Sequence, residues 1–437
     1  MFKNSLILVC LLVNFTVYAE NPFIKHMFTA DPSAHVFDGK MYVYPSHDRD
    51  DAKGFDMTDY HVFSSDDLLN WQDHGVVLDM KDVPWAKEFM WAPDCVYKNG
   101  MYYLYFPVRN KEGVFQIGVA TSKSPAGAFV AEKEPIKSSF SVDPAVFVDA
   151  DGQAYMYFGG AGMGGQKTPW VAKMTDDMKQ ISEAPIALTG VDYWFEACWM
   201  NKIGNTYYLS YSTGGKHPEV KGGSGIAYAT SDNPMGPFKY QGILNSRVSG
   251  WTNHHSVVEW KGQTYFFYHT SDMSGGKTNQ RCLAAEYIHI TEDGKIHEVV
   301  QTAIGIGRYN GFEKIEAENY HQTNAVTKKG NRKDGFFISL KNKDYVIFNK
   351  VDFGDKSAKN IELKIASIAK KGTLEIRENG IKGKVLAHIA IKRTGIEQNW
   401  NTVHAEILEL KSTNNIVLTF KGKKGEVLEL DWIKFSE

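Results

Sequence analysis

Cysteine is scarce. Four occur in 437 residues, at positions 10, 95, 198 and 282, and none share a Cys-x-x-Cys spacing, which excludes a dense disulfide framework and a cysteine-type metal centre. Net charge is also nearly absent, at -2 from 49 basic and 51 acidic residues. That balance excludes a nucleic-acid binder working through bulk phosphate attraction. Long apolar runs are missing beyond the first 19 residues, so no later stretch could cross a bilayer as a helix. Sustained helical periodicity is missing as well. Apolar content of 43% excludes wholesale disorder.

What is present is aromatic and turn-forming: 13% Phe, Trp and Tyr, with 39 glycines. Aromatics suit a pleated, half-buried surface, so the composition points to an all-β chain. The length calls for two or more domains. Charge divides the chain, because residues 1–311 carry 26 Lys and Arg against 34 Asp and Glu, whereas 312–437 carry 23 against 17. Residues 1–19 read as a secretory leader, with Lys3, an apolar stretch from Leu6 to Val13, and a cleavage pattern ending at Ala19. Export to the periplasm or medium is therefore expected. Three cysteines would remain, an odd number that leaves at least one free thiol.

A Gly-x-x-Tyr unit recurs at Gly39–Tyr42, Gly100–Tyr103, Gly152–Tyr155, Gly204–Tyr207 and Gly262–Tyr265, with successive tyrosines 61, 52, 52 and 58 residues apart. Each unit has an apolar strand before the glycine and an alternating strand after it, a hairpin signal. A second turn follows in each repeat, at Ser64–Asp67, Thr121–Ser124, Thr175–Asp177, Thr230–Asp232 and Thr291–Gly294. Four strands, five times over, predict a five-bladed β-propeller at residues 22–306. Residues 312–437 alternate differently, in runs such as Asp344–Asn349, Asn360–Ile365, Asn415–Phe420 and Leu428–Ile433. They predict a β-sandwich of jelly-roll type.

About eight residues before each repeat's glycine stand Asp31, Asp94, Asp143, Glu196 and His254. In a propeller these positions converge on one mouth of the channel, where carboxylates repel and raise one another's pKa. Several carboxyl groups in an aromatic pocket suit glycosidic bond hydrolysis, which needs one acid and one base. Glu196, within Tyr193-Trp-Phe-Glu-Ala-Cys-Trp199, is the candidate acid. Asp31, in a polar Thr-Ala-Asp-Pro-Ser setting, is the candidate base.

Thr29-Ala-Asp-Pro-Ser33, Met90-Trp-Ala-Pro-Asp94, Ser141-Val-Asp-Pro-Ala145, Phe195-Glu-Ala197 and Asn253-His-His-Ser256 together resemble glycoside hydrolase family 43. The opening stretch is most similar to its xylosidase/arabinofuranosidase branch. The resemblance implies an inverting mechanism, with Asp31 as general base, Glu196 as general acid and Asp143 tuning the acid. It further implies that Arg281 contacts the terminal sugar and that His254 faces a channel metal, calcium or its water shell. Trp91, Trp194, Asp94 and His254 complete the expected substrate-binding set. The tail, from Ile315-Glu-Ala-Glu-Asn-Tyr320 to Leu430-Asp-Trp-Ile433, resembles family 6 carbohydrate-binding modules. That likeness implies a structural calcium on Glu316, Glu318 and Asp431. Glu397 stands where such modules often carry a sugar-stacking Trp, which counts against glycan binding there.

The expected activity is removal of terminal β-xylosyl or α-L-arabinofuranosyl units from plant polysaccharide or oligosaccharide, with no cofactor for the chemistry and no nucleic-acid or membrane partner. An exo-galactosidase, an arabinanase and a non-catalytic carbohydrate-binding propeller are the alternatives. Amide replacement of Asp31 or Glu196 is expected to abolish hydrolysis and leave stability equal or higher.

Overall fold

The structure, a computed structural model, describes residues 21–437 apart from 161–167, 216, 221–222, 247, 332–334, 370 and 396–397. The leader expectation and Glu397 fall outside the described residues. The described chain is almost wholly β, and no helix is long and apolar enough to cross a membrane.

Five antiparallel sheets follow one another to about residue 288. Their innermost strands are Phe28–Phe37, Asp94–Lys98, Ala145–Val148, Glu196–Ile203 and His255–Trp260. Each is followed by one of the repeated tyrosine strands: Lys40–Asp48, Met101–Asn110, Ala154–Phe158, Thr206–Ser212 and Gln263–Thr270. The glycine between them takes φ of 77°, 78°, 84°, 59° and 75° respectively. That left-handed backbone admits glycine without strain and explains the repeat's first letter.

Apolar cores between neighbouring sheets turn the series into a ring. Tyr44, Tyr60 and Val62 of the first sheet pack with Leu104 and Phe106 of the second. Later sheets are joined in the same way. The last core brings Trp260, Tyr265 and Phe267 of the fifth sheet back onto Met41, Val43 and Phe63 of the first. Burying each large aromatic contributes about 1.5–3 kcal/mol, and many of these rings are fully enclosed. The propeller follows from this closure.

The sheets are not uniformly four-stranded. The second has five strands, because Met101–Asn110 outruns Asp94–Lys98 and Ala86–Glu88 pairs with its free end at Arg109 and Asn110. The fifth has three among the described residues. Its Thr291–Gly294 turn closes on a single Ile290–Ile296 bridge rather than a fourth strand.

The tail forms two facing six-stranded sheets around one apolar core containing Ile338, Phe348, Leu363, Leu418 and Phe435. All four strand runs expected from alternation are present. Tyr309–Asn310 already pairs with Val351–Asp352, so the sandwich begins a few residues ahead of position 312. Its connection to the propeller is polar and specific. The ring of His321 bonds the Gly305 carbonyl at 3.0 Å and accepts the Asn349 N–H at 3.1 Å, while Arg308 pairs with Asp352 at 3.5 Å.

Candidate active site

Three breaks in the inner strands aim carboxyl groups into one cavity. Asp31 has φ of 50°, within a register shift between Ala30 and Ser33. Asp143, φ 55°, comes just before the strand that opens at Ala145. Beside Glu196, Ala197 takes φ of 60° at a second register shift. Bulges re-aim side chains, and residues held at positive φ cluster where function requires such aiming. The resulting cavity of about 280 Å³ has Asp31, Asp143, Glu196, His254 and Arg281 in its wall, with Trp91, Trp251 and Phe55 as aromatic surface.

Asp31 is held as an anion. Its Oδ1 accepts a hydrogen bond from Arg281 Nη1 at 2.8 Å and its Oδ2 accepts one from Ser46 Oγ at 2.7 Å. His269 Nδ1 accepts the Asp31 backbone N–H at 3.1 Å, and its Nε2 faces Thr252 Oγ1 at 3.0 Å. Burial alone would raise the Asp31 pKa. The Arg281 guanidinium outweighs it and holds the carboxyl well below the usual range. Arg281 is itself fixed by Asp48, which accepts Nε and Nη2 at 2.8 Å each and the backbone N–H at 2.9 Å. This planar fork cannot swing away from Asp31.

Asp143 behaves oppositely. Burial, then the charges of Glu196 and Asp31, push it well above the ordinary carboxylate value, while the Ala197 N–H donates to its Oδ2 at 3.2 Å. Asp143 and Glu196 therefore form a coupled pair that retains a proton where Asp31 has none. Burial pulls His254 down to about 4, so it is neutral beside Asp31 at 3.6 Å.

Close packing secures the acid's neighbour. Gly214, at φ 55°, lies against Phe195, and a Cβ there would stand 2.2 Å from the Phe195 ring. Phe195 in turn meets Trp251 edge-on at 5.9 Å, and Trp251 is half exposed at the cavity wall. Trp91 is oriented by its Nε1 bond to the Phe55 carbonyl at 2.7 Å.

Two of the expected binding residues lie elsewhere. Asp94 is only six residues before Gly100, and the residue eight before it, Ala92, is the one that lines the cavity. Two residues along a strand amount to roughly 7 Å. Asp94 instead accepts from Ser33 Oγ (2.6 Å), His35 Nε2 (2.8 Å), Cys95 N (2.8 Å) and Val146 N (2.6 Å), joining three sheets. Trp194 is buried in the core between the third and fourth sheets with Tyr155, Tyr157 and Tyr207. Its size and apolarity place it there rather than on a sugar.

Ser46, Asp48, His269 and Phe55 belong to the site but were not singled out from sequence. Ser46 and Asp48 are the two ends of a conspicuous Ser-His-Asp triplet. His269 and Phe55 carry no local signal. The three cysteines among the described residues, Cys95, Cys198 and Cys282, are buried and free of disulfides, and burial pushes Cys198 up to about 12, leaving it unreactive.

The carboxylates expected to hold calcium do not gather. Glu316 pairs across from Trp432, beside Asp431, but Lys314 reaches Glu316 at 2.9 Å and Lys364 reaches Asp431 at 2.9 Å. With Glu318 they form no ligand cluster among the described residues, and neither does His254 with its surroundings. The residues as placed do not fit the ion.

A sequence profile for glycosyl hydrolases family 43 matches residues 19–296, and one for family 6 carbohydrate-binding modules matches 316–437. The chain is 44% identical over 326 residues to xylosidase/arabinosidase 43A of Humicola insolens, covering 63% of this chain and 98% of that one. A crystal structure of a β-xylosidase/α-arabinofuranosidase from a compost metagenome, in complex with xylotriose and calcium-free, superposes with a TM-score of 0.60 at 46% identity. It covers 64% of this chain and 97% of its own. A Bacillus subtilis arabinoxylan arabinofuranohydrolase, solved with cellotetraose, is 27% identical with a TM-score of 0.57 and spans 95% of this chain and 97% of its own.

Proposed function

The chain belongs to glycosyl hydrolase family 43, and from that premise we propose that it removes terminal β-xylosyl or α-L-arabinofuranosyl residues from plant polysaccharides by an inverting mechanism. The observation that carries this reading is electrostatic. One carboxylate, Asp31, is held ionised by Arg281, while across the same cavity Asp143 and Glu196 keep a proton between them. Environments that drive carboxyl groups apart in pKa assign base and acid.

In the proposed reaction Asp31 takes a proton from water as that water attacks the anomeric carbon. Glu196 delivers its proton to the leaving glycosidic oxygen, and the C–O bond breaks with inversion. Asp143, fixed by the Ala197 N–H, supplies the negative field that keeps the proton on Glu196. Arg281 orients Asp31 and faces the substrate. Trp91, Trp251 and Phe55 offer aromatic faces to the sugar ring. At about 280 Å³ the cavity lies just below the about 300–1,000 Å³ typical of small-ligand pockets, which supports capture of a chain end. Export through the 1–19 leader belongs to the same proposal.

A panel of aryl β-xylosides, α-L-arabinofuranosides and galactosides, with the released anomer followed by NMR, tests it. The pentosides should be cleaved with inverted configuration in the first-formed sugar. Retained configuration, or turnover of galactosides alone, defeats the reading. Oligosaccharide binding without any hydrolysis would favour the carbohydrate-binding alternative.

A further inference from the structure

The first sheet carries a ladder of imidazoles and carboxylates that the proposed chemistry does not use. His47 lies on the strand Lys40–Asp48, with Asp59 and His61 on its neighbour Asp59–Ser65. The register pairs Ser46 with Tyr60, so one step on sets His47 opposite Asp59. Alternation then places His61 on that same face, two residues along. His47 Nδ1 stands 2.8 Å from Asp59 Oδ1, and His61 Nε2 stands 3.9 Å from the same oxygen. One ligand atom from each of the three residues falls within 4.8 Å of the others, the only such group among the described residues.

A second layer fixes the orientation of His61. Its Nδ1 meets Asp73 Oδ1 at 2.9 Å, and that carboxylate also accepts the Gly75 N–H at 2.7 Å and pairs with His26 Nε2 at 3.0 Å. An imidazole that donates from Nδ1 to a carboxylate presents a lone pair at Nε2, the tautomer a metal requires. That lone pair faces the Asp59 oxygen, and a cation between them would satisfy both. Tetrahedral zinc, with bonds of about 2.0–2.1 Å, sets its ligand atoms about 3.3 Å apart. The separations of 2.8 and 3.9 Å bracket that value. The three side chains are 15–23% exposed, which leaves a fourth position to water.

We propose that His47, Asp59 and His61 form a binding site for a divalent transition-metal cation of the zinc class, with Asp73 holding His61 in its ligating tautomer. Two imidazole nitrogens and one carboxylate select such an ion over calcium, which prefers an all-oxygen shell. The bound ion would clip the second and third strands of the first sheet together, next to Ser46 and Asp48 that position Asp31 and Arg281.

Untagged full-length protein, stripped with chelator, is titrated calorimetrically with zinc chloride alone. One equivalent should bind. His47→Ala and His61→Ala should each weaken binding more than tenfold, and Asp73→Asn by about 10–100-fold. His297→Ala removes a different close imidazole pair, with His289 at 5.1 Å between ring centres, and should change nothing. Cobalt(II) added to the unmodified chain should give the d–d absorption of a four-coordinate nitrogen–oxygen site, a readout that depends on no variant. The proposal is overturned by the lack of a one-equivalent zinc isotherm, by full affinity in His47→Ala and His61→Ala, by loss in His297→Ala instead, or by displacement of zinc with millimolar calcium.

Discussion

Asp31 and Asp143 look alike in sequence, each an aspartate before a proline, yet their surroundings drive their pKa values in opposite directions. This separates the effects of the same amide substitution at the two positions. Asp31→Asn should lower kcat about 10²–10⁴-fold and also destabilise the fold by about 1–3 kcal/mol, because the amide cannot balance Arg281 Nη1. The depressed pKa makes ionised Asp31 stabilising above its ordinary value of 3.8, and that contribution is lost as pH falls below it. Thermal melts of Asp31→Asn at pH 7 check the reversal of the earlier expectation; an unchanged or higher Tm would contradict it. Asp143→Asn should behave the other way, raising Tm at pH 7 by removing a carboxyl whose ionisation burial and Glu196 disfavour, while lowering kcat. The basic limb of its kcat/KM profile should move to lower pH, since Glu196 loses the neighbouring charge that helps it keep its proton. A basic limb left in place would remove Asp143 from its tuning role.

At the scale of elements, the hairpin turns were legible because each repeat places a glycine in the left-handed region, where it sits without strain. The register shifts at Ala30–Ser33 and beside Ala197 left none, and they are what swing Asp31 and Glu196 into the cavity. Counting back from each glycine therefore worked where the strand length repeated and failed at Asp94, which sits two residues deeper. Its four acceptor contacts join inner strands of three sheets. Asp94→Asn should cost about 2–3 kcal/mol of stability and leave KM for an aryl xyloside within twofold. A large KM change at unchanged stability would return Asp94 to the substrate site.

For the whole molecule, closure joins the first described residues to the end of the propeller. Asn21 Nδ2 donates to Glu286 Oε1 at 2.9 Å and to the Thr302 carbonyl at 2.9 Å, and Glu286 Oε1 also accepts the Thr302 N–H at 2.7 Å. Burial pushes Glu286 up to about 8, against these hydrogen bonds. The folded protein thus holds a proton that the unfolded chain releases near 4.5, so stability should decline as pH rises from about 4.5 to 8. Glu286→Gln should flatten that decline in a Tm-against-pH series; an unchanged slope would clear Glu286 of it. The order of the repeats and the identity of the acid–base candidates were determined by sequence alone, since a 52–61-residue period and its turn glycines are local properties. The charge on each carboxyl was not local. It was decided by Arg281, which stands 250 residues from Asp31 and meets it only because the fifth sheet packs back against the first. The loop that brings Phe55 to the cavity and the face shared by His47, Asp59 and His61 were decided the same way, by register and ring closure, because a side chain's electrostatic environment depends on what tertiary packing sets beside it.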